Sequence, residues 1–176
     1  MEALTKDEFL RLLAKAHEKD PRAWVMILIH FWHAGRNSEI INLTRDNFTD
    51  GYIIFDRGKN SLPCRQRLVE HTNPLLNEKK AVFDFVARLA PNQRLFRMSR
   101  WTYWRHLVKL AVDAGIPRIK AKTTVLKHSI CTYMYENAAP NAVQRRAGHV
   151  NGANTLRYGT LQEEQVDALV VDAVGL

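Results

Sequence analysis

Cysteine is scarce in this chain, with only Cys64 and Cys131 among 176 residues and no Cys-x-x-Cys pair or Cys/His cluster around either. That scarcity excludes a disulfide framework and offers no zinc-ligand spacing. Reduced thiols of an intracellular protein are the expectation. Long apolar runs are missing as well. The most hydrophobic stretch, 23-AWVMILIHFWHA-34, is too short to span a bilayer and is interrupted by His30, and the polar start MEALTKDEF is unlike a signal sequence. A soluble chain with no membrane partner follows, located in the cytoplasm, on the nucleoid, or inside a host cell if the source is viral. Acidic residues are also in short supply. The 18 Asp+Glu against 26 Lys+Arg give a formal charge of +8 and a pI near 9.7. That excess points to a polyanionic partner, nucleic acid or an acidic membrane surface. The membrane is the poorer candidate, because no helical pattern sets its lysines opposite a broad apolar face.

No repeat, low-complexity tract or linker interrupts the chain, and 46% hydrophobic with 25% charged residues is ordinary globular composition. One folded unit over 1–176 is expected. Thr5 with Asp7 and Glu8 opens an apolar pattern Phe9, Leu12, Leu13, Ala16, the signature of a capped amphipathic helix. Pro21 starts a second helix, apolar nearly all round over 22–34 and therefore buried. The stretch 36-RNSEIINL-43 reads as a short helix entered from Gly35. The period then changes at 47–72, where Asp50-Gly51 and Gly58-Lys59-Asn60 punctuate β-rich runs, predicting a small antiparallel sheet. Helical periodicity returns over 75–90, 100–115, 124–138 and 161–174. The fold class is mostly α with a small antiparallel β-sheet, an α+β domain.

The chemistry centres on 147-AGHVNGANTLRYGTL-161, where Tyr158 stands nine residues past His149 among glycines and asparagines, an exposed setting rather than a core one. A phenol is a poor nucleophile at its ordinary pKa of about 10. It becomes useful against a phosphodiester whose charge is held by cations and whose leaving oxygen receives a proton. Candidate cations are Arg36 before Ser38-Glu39, Lys59 at a hairpin tip, Lys127 beside His128, and His149 after glycine.

In this order the residues resemble the catalytic domain of the tyrosine recombinase (phage integrase) family. The run 33-HAGRNSEIINL-43 is similar to the family's Thr-Gly-x-Arg-x-Ser-Glu-Leu box, which makes Arg36 its first catalytic arginine. The run 57-RGKNSLPCRQRLVE-70 looks like the hairpin that presents the catalytic lysine, here Lys59. Gly148-His149 with Tyr158 matches the Leu-Gly-His…Tyr box, with Ala147 in place of leucine. One box departs. Where the family reads His (or Lys)-x-x-Arg-His, this chain has 124-TVLKHS-129, so Thr124 and Lys127 stand at the His/Lys and second-arginine positions. Lysine keeps the charge but loses the planar two-pronged donor, and threonine cannot act as an acid or base near neutral pH.

The resemblance implies transesterification with no metal and no cofactor. Tyr158 attacks the scissile phosphate of double-stranded DNA and forms a 3′-phosphotyrosyl link. Arg36 and Lys127, helped by His149, hold the oxyanion charge, and Lys59 protonates the departing 5′ oxygen. A 5′-hydroxyl then reverses the step, giving site-specific recombination or integration. The alternative is a recombinase-like DNA-binding module with weak or no catalysis, motivated by Thr124 and Lys127. The family's amino-terminal DNA-binding domain has no counterpart in this sequence, and a homo-oligomer on DNA, joined through the 161–174 helix, is expected.

Plainer readings stand beside these. Arg36 alone would be a helix-start arginine paired with Glu39, Lys59 a solvated tip, His149 a cap, Tyr158 a surface tyrosine, and Lys6 or Lys122 could supply a cation near the phosphate. Tyr133 and Tyr135 fit a core pattern. Trp101, Trp104, Val108 and Ala111 share one helical face that reads as core, leaving Arg97, Arg100, Arg105 and Lys109 for the DNA backbone. Arg118, Lys120 and Lys122 extend that cationic track.

Overall fold

Thr5 sets the start of α1 (Lys6–Lys19), because its hydroxyl accepts from the Glu8 N–H while the Glu8 carboxylate accepts from the Thr5 N–H. This reciprocal cap satisfies two donors that a helix end otherwise leaves open. The apolar spacing then buries Phe9, Leu12, Leu13 and Ala16. The computed structural model describes residues 2–55, 64–138, 140–148, 170–172 and 174–175. Asp20 ends α1, and its side chain caps α2 (Pro21–Trp32) through the Arg22 N–H, with Pro21 in the first-turn position where it loses no hydrogen bond. Every residue from Val25 to Trp32 is buried. Helix α2 is therefore the central element, packed against α1, α3 (Asn37–Ile41), α4 (Glu78–Val86) and α6 (Thr123–Asn137).

Strands β1 (Phe48–Thr49), β2 (Tyr52–Phe55) and β3 (Cys64–Arg67) form an antiparallel sheet in the order β1-β2-β3. Asp50 and Gly51 turn between β1 and β2 with φ of 49° and 79°. Two positive φ values in a two-residue loop match the right-handed twist of the flanking strands, which is why Asp-Gly occurs there. Register pairs Phe55 with Cys64 and Tyr52 with Arg67. Ile53, Phe55 and Gln66 point into the core. The expected second turn at Gly58-Lys59-Asn60 lies outside the described residues.

Helix α4 starts later than the 75–90 periodicity predicts. Tertiary bonds hold Leu75 and Leu76 out of it, because their carbonyls accept the indole N–H groups of Trp24 and Trp32, and Asn77 caps the helix at Lys80. Helices α5 (Arg100–Asp113) and α6 agree with the sequence within a residue or two at each end. A further helix, α7 (Pro140–Ala147), went unread. Its signal was Pro140, a residue suited to a first turn. Of the expected 161–174 helix, only part is described, with Val170 and Val174 buried.

The core face of α5 is corrected at Trp101, while Ala111 is buried and Val108 packs against the core as expected. Trp101 is 60% exposed, while Tyr103, Leu107, Leu110 and Ala111 turn inward. The inward set wins because Tyr103 finds a buried hydrogen-bond partner, the His30 ring, 2.9 Å away. Trp101 instead stacks on Trp104 at 4.7 Å with Arg105 above it. No described helix is long and apolar enough to cross a membrane.

Candidate active site

Arg36 occupies the residue before α3, where the chain leaves the central helix through a tight turn. Gly35 is needed there, because a Cβ would meet the Ile40 side chain at 2.6 Å. Ala34, which takes the glycine position of the resembled box, has φ 47°, in the left-handed region that glycine adopts most readily. The Glu39 carboxylate accepts from the Arg36 N–H at 2.7 Å and from its guanidinium at 2.8 Å. The pairing weighed in the plainer reading is therefore present. It holds one prong of a guanidinium whose side chain is still 45% exposed, so the rest can meet an anion.

Helix α6 brings Lys127 to this turn. Asn37 donates to the Thr123 hydroxyl at 3.3 Å, joining the start of α3 to the start of α6. Lys127 donates to the Ala147 carbonyl at 2.8 Å. Gly148 follows with φ 63° and returns its N–H to Arg145. That left-handed closure explains the glycine ahead of His149 as the residue that ends α7. Thr124 is exposed in the first turn of α6. The structure thus brings Arg36, Lys127 and the end of α7 together. Lys59, His149 and Tyr158 lie outside the described residues.

Beneath these groups is His30. Its ring donates to the Gly35 backbone, and burial first, then the Lys127 charge, push its pKa down to about 3. Burial also pushes the Tyr103 phenol up. A protonated Tyr103 hydroxyl therefore donates to a neutral His30, an arrangement that adds no charge under the Arg36 turn. Unfolded, this histidine takes up a proton near pH 6.5; folded, it resists protonation to about pH 3. The unfolded state binds more protons in that window, so stability should fall as pH drops from about 6.5 toward 3, by up to about 1.4 kcal/mol per pH unit. Urea melts at pH 6.5 and pH 5 check this, and His30→Gln should flatten the slope. An unchanged slope in the variant would rule His30 out as the source.

Sequence reading missed a second buried group. His33 Nδ1 is 2.7 Å from Gln66 Oε1, and Nε2 is 2.8 Å from Glu78 Oε1. Gln66 also donates to the Arg146 carbonyl at 3.1 Å, and Arg146 Nε donates to the Trp32 carbonyl at 2.7 Å. His33 opens the Arg36 box and Gln66 lies in the run quoted for the Lys59 hairpin, but Glu78 and Arg146 come from α4 and α7, and no spacing relates the four.

Of the expected DNA-facing cations, Arg97, Arg100, Arg105, Lys109, Arg118 and Lys122 are exposed. Lys120 is a correction. It is buried, and its ammonium bonds the Glu8 carboxylate at 2.9 and 3.1 Å and Glu2 at 3.1 Å. Glu8, then Glu2, hold its pKa up, and that ion pair ties α1 to the turn before α6. Lys6, weighed as a cation near the phosphate, reaches the Gly175 carbonyl at 3.5 Å. Tyr133 is buried and donates to the Leu4 carbonyl.

This arrangement of helices around a three-stranded sheet is the fold of tyrosine recombinase catalytic domains. The solved XerA recombinase superposes with a TM-score of 0.72 at 20% identity over 98% of this chain and 65% of that one. A lambda integrase dimer bound to a COC′ core site gives 0.67 at 16% identity over 92% of this chain and 61% of that one. The phage integrase family model matches residues 2–165, and the chain belongs to that family. Among curated relatives, the tyrosine recombinase XerA of Thermococcus kodakarensis is 25% identical over 171 residues, 93% of this chain and 60% of its own length. The chain thus spans about six-tenths of that relative.

Proposed function

We infer that the protein cleaves and rejoins double-stranded DNA at specific sites through a covalent tyrosyl intermediate, and that Tyr158 is the nucleophile. The observation that carries this reading is that Lys127 holds the carbonyl of Ala147, two residues before His149, from a helix whose start is bonded to Asn37 beside Arg36, in a chain of the phage integrase family. The lambda integrase neighbour, bound to its core site, supports DNA as the partner.

In the proposed reaction the Tyr158 hydroxyl releases its proton to solvent as its oxygen attacks the scissile phosphorus and the bond to the 5′ oxygen breaks, leaving a 3′-phosphotyrosyl ester. Lys59 gives a proton to the departing 5′ oxygen. Arg36, Lys127 and His149 hold the charge on the non-bridging oxygens, where preorganised cations act most strongly. Attack by another 5′-hydroxyl restores the phosphodiester and frees the tyrosine, so the bond energy is conserved without a nucleotide or metal. Trapping on a nicked suicide duplex tests the reading, because only an active nucleophile leaves protein attached to DNA. If no adduct forms with any duplex carrying a binding site, the reading fails.

A second reading is a DNA-binding module with a degenerate centre. It is favoured by Thr124, which has no acid–base chemistry at neutral pH, and by the engagement of Lys127 with a backbone carbonyl. The same trapping experiment separates the two.

Binding to DNA should be strongly salt-dependent, since each phosphate neutralised adds about −0.9 to the log–log slope. Lys122→Ala or Arg97→Ala should each reduce that slope by about 0.9. Lys120→Met should lower stability and leave the slope unchanged, because its charge is spent on Glu8 and Glu2. A flat salt dependence would remove these cations from the interface.

The 161–174 segment, with Val166, Leu169, Val170 and Ala173 at helical spacing, is proposed to join protomers on DNA. Deleting residues after 160 should abolish assembly on DNA in gel-shift measurements. Assembly and cleavage that survive the deletion would end that proposal.

A further inference from the structure

We propose that His33 is a positioning residue for strand cleavage, the centre of a buried latch that fixes the Arg36 turn against β3 and the end of α7. The inference rests on the functional reading above. Four segments meet at this ring. His33 itself ends the central helix, three residues before Arg36. Gln66 comes from β3, Glu78 from the first turn of α4, and Arg146 from the last turn of α7. All four side chains are buried, so water cannot replace a lost partner.

The hydrogen bonds fix the orientation of each group. Gln66 Nε2 faces the Arg146 carbonyl, which only accepts, and it lies 3.1 Å from the Cys64 sulfur. Gln66 Oε1 therefore faces His33, and Nδ1 must carry a proton to donate to it. At the other nitrogen the partner is Glu78 Oε1, whose second oxygen accepts the Val69 N–H at 2.9 Å. One further proton lies between Nε2 and Oε1. The pair is thus neutral overall and has no spare donor or acceptor on that axis. Phe55 packs against the ring at 5.6 Å and completes the enclosure from β2.

Such a latch transmits placement. Gln66 reads the position of His33 on one side and of the Arg146 carbonyl on the other, and the next residue, Ala147, supplies the carbonyl that Lys127 holds. The Arg146 guanidinium closes the circuit by bonding the Trp32 carbonyl, one residue before His33. Arg36 and Lys127 are therefore set in mutual register by groups that never touch DNA. An error of about 1 Å in that register can cost on the order of 10²-fold in rate.

Two variants test it. Gln66→Met keeps the buried length of β3 and removes both hydrogen bonds. Glu78→Gln keeps them, because a glutamine amide can donate to Nε2 while its oxygen accepts from Val69. At a temperature where all three proteins are fully folded by circular dichroism, single-turnover cleavage of a nicked suicide duplex at saturating protein should be about 10²-fold slower for Gln66→Met. Duplex affinity should be unchanged, and Glu78→Gln should cleave near the wild-type rate. Wild-type rates in Gln66→Met would overturn the proposal. A wild-type protein that forms no adduct overturns the functional reading instead. Backbone hydrogen exchange then judges the latch by itself: Gln66→Met should speed exchange at 34–36 and 147–148, and unchanged protection there would overturn it.

Discussion

Tyr158→Phe is expected to bind duplex DNA with wild-type affinity and to form no covalent protein–DNA adduct at all. The substitution removes one oxygen from a residue set among Asn151, Gly152, Asn154 and Gly159. Affinity for DNA derives from cations neutralising phosphates, and the variant leaves all of them in place. Chemistry is different, because the variant lacks the oxygen that would attack the phosphate. Of the two tyrosines with a core pattern, Tyr133 and Tyr135, Tyr133 is buried with its hydroxyl donated to the Leu4 carbonyl, so it cannot reach a phosphate without unfolding the amino-terminal segment. Denaturing gels of trapped complexes provide the measurement. An adduct that persists in the phenylalanine variant would assign the nucleophile elsewhere and remove the basis for the nine-residue spacing from His149.

Lys127→Ala is the second large effect, a loss of about 10²–10³ in the rate of strand cleavage, the usual worth of one well-placed donor to a developing oxyanion. The same ammonium donates to the Ala147 carbonyl at 2.8 Å. Its removal should also cost about 1.5–3 kcal/mol of stability, as expected for a hydrogen bond to a charged group. Lys127→Arg should raise the rate above wild type. A guanidinium can keep one N–H on the carbonyl and offer others to phosphate oxygens in pairs, which a single ammonium cannot do. Single-turnover rates at saturating protein separate chemistry from binding. Equal rates for lysine and alanine would take Lys127 out of the active site and favour the DNA-binding module.

The two residues also show which signals were legible in the chain. Arg36 could be read because a motif surrounds it within a few positions, and local geometry sustains that motif: Gly35 is required by the Ile40 side chain and Glu39 grips Arg36 from one helical turn away. Gly148 was legible as part of the box with His149, though not as the residue that ends α7. Lys120 was misread because a lysine among Arg118 and Lys122 looks like one more member of a cationic track. Its partner Glu8 is far away in sequence, and only packing of α1 against the turn before α6 reveals the pair. The α5 face failed differently. A face led by Trp101 and Trp104 and one led by Tyr103 and Leu107 both satisfy helical spacing, Ala111 belonging to each, and hydrophobicity favours the tryptophans. The decision came from where His30 offered a partner.

The sequence by itself determined the local events: capped starts at Thr5 and Asp20, the Asp50-Gly51 turn, the apolar stripe of α1 and the all-apolar α2. Each depends on interactions between residues a few positions apart. It also determined the family, since the boxes around Arg36 and His149 are short and contiguous. Tertiary structure alone decided that Lys127 meets the Ala147 carbonyl, that Lys120 is enclosed by acids, and that His33 gathers Gln66 and Glu78 around itself. Those pairings join segments far apart in the chain. Their stability comes from excluding water around matched donors and acceptors, and no spacing or composition records which distant segments will share a dry interior.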